Sequence, residues 1–238
     1  MDRVGMGDVT ARRIPFTAEL EKLEVPRTAR YARLGSFGPS IREVWYVLHG
    51  YGQRAVDFLR PFRRLESKER VIVAPEAMSR FYLAPMDRPH GRGDRVGASW
   101  MTREDRDSEI QDYVRYLELV RERVEGSREP DPTPRIVLGF SQGCHTAARW
   151  AMLGKVPPDV LILWGAAFPR DPELESSRFR DTRVLLVRGR DDPQRRPEEE
   201  EDEERRLVAA GIPYEVRRHP ADHRIHRATL EEIAAEVV

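Results

Sequence analysis

Gly139-Phe140-Ser141-Gln142-Gly143 is the segment of this 238-residue chain best built for covalent chemistry. A serine hydroxyl is a weak nucleophile until a neighbouring base takes its proton. It also needs a sharp turn to lift it clear of the backbone. Both flanks suit such a turn. The apolar run Ile136-Val137-Leu138 leads in, and residues 144–153, rich in small side chains, lead out. The pattern is strand, turn, helix. Gly139 and Gly143 remove side chains that would clash with the adjoining strand and helix, and Ser141 is expected in a strained backbone conformation. The Gln142 amide, at the helix N-terminus, is placed to donate to an oxyanion.

A second glycine turn, His49-Gly50-Tyr51-Gly52, follows the apolar run ending at Leu48. A backbone N–H here, assigned to Tyr51, would supply a second oxyanion donor, each such donor being worth roughly 10²–10³ in rate. His49 reads as a residue that pins this loop by hydrogen bonding.

A serine base needs an orienting carboxylate, in the chain order serine, acid, histidine. The acid falls in Gly189-Arg190-Asp191-Asp192-Pro193, after the apolar run 184–187. Asp191 and Asp192 both qualify; Asp192 is preferred because such a turn usually presents its last carboxylate. His219, His223 and His226 are the histidines that follow. His223 is preferred, since it comes after the last strand and a short loop and just before the closing helix. His219 closes that strand and His226 opens that helix. Cys144 and His145 read as packed helix residues, because a cysteine nucleophile needs an activating partner. The chemistry expected is acyl transfer through an acyl-serine, with activity falling at low pH as the histidine base takes up a proton.

These groups must be positioned by alternating elements. Residues 29–37 alternate apolar and polar and predict an edge strand. Glu43–Leu48 and Val71–Ala74 predict buried strands. Between them, residues 53–65 have helical spacing at Val56, Leu59, Phe62 and Leu65, with Pro61 placed to kink or split the helix. A long connection, 75–103, carries Phe81, Tyr82 and Trp100; loops of such length are commonly functional, and these aromatics are expected to bind substrate. A helix over 104–125 has Ile110, Tyr113, Leu117, Val120 and Val124 on one face. Then come a strand at 135–140, a helix at 142–153, strands at 160–164 and 184–187, a helix at 197–210, a strand at 214–217 and a helix at 229–237. The alternation predicts an α/β fold: a mostly parallel sheet with helices on both faces, holding ligands at its C-terminal edge. Residues 1–28 predict an irregular arm, or a short helix near Ala18–Leu23, and residues 29–238 one domain. The acidic run 198–204 reads as carboxylates drawn to a helix N-terminus after Pro197, not as a metal site.

Composition narrows the partners. Lys plus Arg and Asp plus Glu balance at 41 each, which gives no reason to expect nucleic acid or an anionic membrane as partner. Cys144 is the single cysteine, so no internal disulfide or cysteine zinc site is expected, and no cofactor or metal. No apolar run reaches the length of a membrane span, and the first residues carry no apolar signal core, so a cytoplasmic location is expected. The expected partner is a small-molecule acyl ester, with a monomer or a homodimer both open.

Taken together, Gly139–Gly143, Leu48-His49-Gly50-Tyr51-Gly52, Gly189-Arg190-Asp191-Asp192 and the late histidine resemble the carboxylesterase/phospholipase branch of the α/β hydrolases, which includes the acyl-protein thioesterases. The resemblance spans roughly residues 43–236. Ala98-Ser99-Trp100-Met101-Thr102 looks like the tryptophan-bearing segment that borders the family's acyl pocket. The likeness implies an α/β-hydrolase fold without a large cap domain, a triad of Ser141, Asp192 and His223, and oxyanion donors at Tyr51 and Gln142. It implies a serine carboxylesterase; a thioesterase or lysophospholipase would use the same triad, and an inactive binding protein would keep the fold. Cys144 and His145 stand where the family often has glycine or alanine, and Asp222 precedes His223 where glycine is usual. Those departures bear on substrate more than on hydrolysis.

Overall fold

A computed structural model describes residues 18–84, 89–126 and 133–237. The apolar runs form the strands β1 (Tyr31–Leu34), β2 (Glu43–Leu48), β3 (Arg70–Pro75), β4 (Ser79–Tyr82), β5 (Val96–Ser99), β6 (Arg135–Phe140), β7 (Val160–Trp164), β8 (Arg183–Gly189) and β9 (Tyr214–His219). The helices are α1 (Ala55–Phe58), α2 (Arg106–Glu125), α3 (Gln142–Leu153), α4 (Pro197–Ala209) and α5 (Arg227–Glu236).

The main sheet is seven-stranded, in the order β1-β3-β2-β6-β7-β8-β9. Only β1 runs antiparallel, at one edge on β3; the remaining neighbours pair parallel. Side chains on a strand alternate between faces, so each strand feeds two cores. Tyr46, Leu48, Val73, Leu163 and Leu186 join the residues of α2 and α3 in one core. Trp45, Val47, Ile72, Ile162 and Leu185 join those of α1 and α5 in the other. Both faces are covered, which is what near-continuous apolar strands require.

The order of strands decides where a site can form. The chain leaves β2 for β3 on one side, returns across β2 to β6, then proceeds outward through β7, β8 and β9 on the other. The direction reverses between β2 and β6, and their C-terminal ends open a crevice there. His49 follows β2 and Ser141 follows β6, so both glycine turns meet at that crevice.

Four expectations need correction. The segment 53–65 is the short α1 followed by a 3₁₀ turn at Arg60–Leu65, divided at the proline. The tighter turn changes the phase: Leu59, Phe62 and Leu65 are buried, but Val56 is 64% exposed. The connection 75–103 is not all loop, because β4 and β5 pair antiparallel from Ser79↔Ser99 to Tyr82↔Val96. Residues 18–23 carry no helix, and Leu20 and Leu23 are exposed. So short a segment does not offset the cost of helix nucleation without an apolar face to bury. β8 and β9 each run beyond their apolar centres, to Gly189 and His219. Residues 1–17 of the expected arm, and 85–88 of the long connection, lie outside the described residues.

Candidate active site

Ser141 sits between β6 and α3 with φ 52° and ψ −122°, a conformation that costs a non-glycine residue roughly 1–3 kcal/mol. Close approach enforces it. A Cβ on Gly139 would lie 2.3 Å from Gly143 O, and one on Gly143 would lie 2.2 Å from Leu48 O. The flanking glycines are therefore the contact points of β6, α3 and β2. The Ser141 amide donates to Trp164 O at 2.9 Å, which ties the turn to the end of β7.

The turn after β2 is held from three sides. His49 is fully buried, with Nδ1 2.8 Å from Gly50 O, and its Nε2 accepts from Ala77 N at 3.1 Å. Those partners assign the proton to Nδ1. Burial pushes the imidazole pKa below its ordinary value, so the ring stays neutral and structural. Gly50 N donates to Gln53 Oε1 at 2.8 Å, and Gly52 N donates to Ala98 O at 2.8 Å. Between these two occupied amides, Tyr51 N has no hydrogen bond among the described residues. Gln142 N, the first amide of α3, has no carbonyl within the helix to serve.

At the other side of Ser141, His223 Nδ1 and Asp192 Oδ2 are 2.7 Å apart, with side-chain exposures of 14% and 4%. Asp192 Oδ1 accepts from Gln194 N at 2.8 Å, so both carboxylate oxygens are engaged. Asp191 is exposed. The His223 ring packs on Phe140 at 4.9 Å between centroids. It also fills the space where a Gly165 side chain would stand, with Cε1 3.1 Å from that Cβ position. Ser141 and His223 thus share one support, the end of β7 at Trp164–Gly165. His223 Nε2 is buried and forms no hydrogen bond, Ser141 Oγ included.

The other histidines are occupied elsewhere. His219 Nε2 accepts from Trp164 Nε1 at 3.0 Å, and its ring stacks on His226 at 5.7 Å. Burial, then the neighbouring His226, lowers its pKa. His226 caps α5, with Nδ1 3.0 Å from Thr229 Oγ1. Cys144 Sγ lies 3.1 Å from Gly139 O in the core, and burial raises its pKa, so it packs as a neutral thiol.

The three aromatics of the long connection separate. Trp100 is 3% exposed, packs at a tilt against the His49 ring at 5.1 Å and donates its indole N–H to His49 O at 2.8 Å. It is enclosed behind the turn, which departs from the expected substrate contact: a buried indole N–H needs an acceptor, and His49 O provides it. Phe81 lies 5.1 Å from the exposed ring of Tyr51, and Tyr82 stacks on His90 at 4.1 Å. Phe81 thus stands at the Tyr51 turn, whereas Tyr82, its neighbour on β4, packs on His90.

Two side chains take roles beyond the sequence expectations and help build the site. Gln53 occupies the Gly50 amide. The Gln142 side chain accepts from Trp100 N at 3.1 Å and donates to Met101 O at 2.9 Å, fastening β5's exit to the serine turn. Nothing in the spacing of either glutamine predicts these bonds. Arg188 had a visible signal, a cation inside the apolar strand β8. It is bonded to Glu200, Glu203 and Glu204 of α4 at 3.3, 2.9 and 2.6 Å. The acidic run therefore does more than greet the helix dipole; it encloses a buried arginine. Among the described residues, no cluster of histidine, cysteine, aspartate and glutamate is arranged to hold a metal ion. No described helix is long and apolar enough to cross a membrane.

Two cavities flank the centre. One of about 330 Å³ is bordered by Ser141, Gln142, His145, Gly165, Arg188 and Asp192. The other, an open groove of about 680 Å³, is bordered by His223, Gln53, Phe58, Arg64 and Arg224.

A sheet with this strand order, a strained serine after β6 and a carboxylate-bound histidine after β9 define a class, and sequence comparison agrees with it. Residues 46–236 match the pattern of the Alpha/beta hydrolase family, and the chain belongs to that family. No curated protein sequence matches. Among solved structures, esterase PE8 is similar at 20% identity and a TM-score of 0.65, over 89% of this chain and 100% of that one. Acyl-protein thioesterase 2 of Zea mays has 17% identity and a TM-score of 0.65, over 88% and 98%. A phospholipase/carboxylesterase from Dyadobacter fermentans has 16% identity and a TM-score of 0.62, over 90% and 98%. At such identities the likeness establishes the fold.

Proposed function

We propose that this protein is a serine hydrolase that cleaves carboxylic esters through an acyl-serine intermediate. The observation that carries the reading is the 2.7 Å bond between His223 Nδ1 and Asp192 Oδ2, on the same β7 support as the strained Ser141 turn. The esterases and the thioesterase among the structural relatives agree with it.

In the first half-reaction, Ser141 Oγ attacks the ester carbonyl carbon while His223 Nε2 accepts the hydroxyl proton. The unsatisfied Nε2 suits that task, since such bonds often tighten only when substrate is present. The carbonyl oxygen becomes an oxyanion, held by the amides of Tyr51 and Gln142. Asp192 fixes the imidazole tautomer and stabilises the imidazolium. Collapse expels the alcohol, which takes the proton from His223. Water then attacks the acyl-serine by the same steps, releasing the acid. A thioester would follow the same course with a thiol leaving. The substrate expected is a small-molecule ester.

The test is turnover of p-nitrophenyl acetate together with labelling by a fluorophosphonate probe. Ser141→Ala should lower turnover by about 10⁴ or more and abolish labelling. Full activity in that variant would overturn the proposal.

A further inference from the structure

The cavity beside Ser141 has an unusual wall for an acyl site. Its floor is apolar, made by Leu163, Leu186 and the small residues Ala166 and Ala167. The far side is α4 and its approach, which brings Arg195, Arg196, Glu199, Glu200 and Glu203 to the lining, with Arg188 from β8. These charges are matched. Arg188 meets Glu203 at 2.9 Å, Arg195 meets Glu200 at 2.7 Å, and Arg196 lies 3.6 Å from Glu199. The Arg188 and Glu203 side chains are only 7% and 2% exposed.

On the near side stands His145, one turn along α3 from Ser141. Its imidazole lines this cavity and a neighbouring one of about 220 Å³, and it makes no hydrogen bond among the described residues. Burial first, then the Arg149 guanidinium, pushes its pKa down to about 4. At neutral pH it presents one N–H donor and one nitrogen acceptor.

We infer that the acyl group taken by Ser141 is compact, uncharged and polar, carrying a hydroxyl or amide that bonds to His145, and is not a fatty acyl chain. The inference rests on the serine-hydrolase reading above and adds the substrate class. A long alkyl chain running from Ser141 toward α4 would strip water from the partly exposed side chains of Arg195, Arg196 and Glu199 and return no hydrogen bond, which is unfavourable. A charged acyl group meets no unmatched counter-ion, because Arg188, Arg195 and Arg196 are balanced by Glu199, Glu200 and Glu203. A neutral hydroxyl or amide has donors and acceptors to meet on both walls. The cavity of about 330 Å³ suits a short group.

The experiment compares kcat/KM for isosteric esters in one enzyme preparation. p-Nitrophenyl 3-hydroxybutyrate is expected to exceed p-nitrophenyl 3-methylbutyrate by at least about tenfold, the range one satisfied polar contact supplies. p-Nitrophenyl butyrate should exceed the octanoate by a similar factor. In His145→Leu the hydroxyl preference should shrink below about threefold, whereas His145→Gln, which keeps a donor and an acceptor, should retain most of it. Ratios within one variant cancel any loss of folded protein. Preference for the methyl isostere or the octanoate would overturn the substrate class, as would a hydroxyl preference unchanged in His145→Leu. Labelling of Ser141 by the fluorophosphonate separates the two levels: labelled protein that prefers octanoate removes only this inference, and unlabelled, inactive protein removes both.

Discussion

The Gln142 side chain grips the backbone on both sides of the Trp100 Cα, accepting from Trp100 N and donating to Met101 O at 3.1 and 2.9 Å. Trp100 in turn donates to His49 O at the base of the other glycine turn. The two proposed oxyanion donors are thus joined through one tryptophan. Preorganised donors contribute to rate because they need not be reoriented as charge develops.

Gln142→Ala leaves the Gln142 amide in place but frees the clamp, orphaning Trp100 N at a cost of about 1–3 kcal/mol, while Met101 O keeps its bond from Ser99 Oγ at 3.0 Å. We expect kcat for p-nitrophenyl acetate to fall at least about tenfold while the far-ultraviolet circular dichroism stays native. Unaltered kcat would show that the clamp does not serve the proposed oxyanion site.

The two aspartates of the Gly189–Pro193 turn should separate sharply. Asp192→Asn changes the group bonded to His223 Nδ1, favours the wrong tautomer and should lower kcat by about 10³–10⁴. Asp191→Asn alters an exposed side chain and should change kcat by less than about threefold. Steady-state rates of the pair decide the matter, and equal losses would count against Asp192 as the orienting acid.

Gly165 combines a positive φ of 81° with contact to the His223 ring. Gly165→Ala places a Cβ 3.1 Å from Cε1 in a conformation alanine tolerates poorly. We expect a stability loss of roughly 1–3 kcal/mol and a larger relative loss in kcat/KM, about 10²-fold, from displacement of the imidazole. Thermal unfolding and ester turnover measure the two effects separately. A stable variant with native turnover would place the reacting atoms away from Gly165.

Acid should weaken the fold through His145. Its pKa is about 4 in the folded protein, against roughly 6.5 for an ordinary histidine in an unfolded chain. Below that unfolded value the unfolded state binds the extra proton, so stability is complete above about pH 6.5 and falls toward pH 4. The loss attributable to this group approaches about 3 kcal/mol at its lower end. His49, also lowered by burial, acts in the same direction. Urea midpoints should drop between pH 7.5 and 5, and His145→Leu should show a shallower slope. A parallel slope in that variant would contradict the assignment.

Reading the sequence works best where the determinant is local. β2, β6 and β7 are buried on both faces and therefore appear as unbroken apolar runs. The serine turn is legible because its glycines answer to contacts within a few residues of strand and helix, together with Leu48 O. The helix over 53–65 misleads at Val56, because Pro61 converts the second half into a 3₁₀ turn and shifts the buried face. The hairpin of β4 and β5 escapes notice since its pairing joins residues from Ser79 to Ser99 across a long intervening stretch. Trp100 is visible as an aromatic near the site, but whether it faces substrate or core depends on an acceptor at His49, far away in the chain.

The amino-acid order alone determined the α/β alternation, the two glycine turns and a succession of serine, acid and histidine, because periodicity and steric demand act over neighbouring residues. It narrowed the acid to two aspartates and the base to three histidines. Folding in three dimensions selected Asp192 and His223 as bonded partners, enclosed Trp100, turned the α4 glutamates onto Arg188 and exposed His145 to the cavity beside Ser141. Those choices depend on hydrogen bonds and burial between segments tens of residues apart, and the energy of such contacts exists only once the sheet has brought the strand ends together.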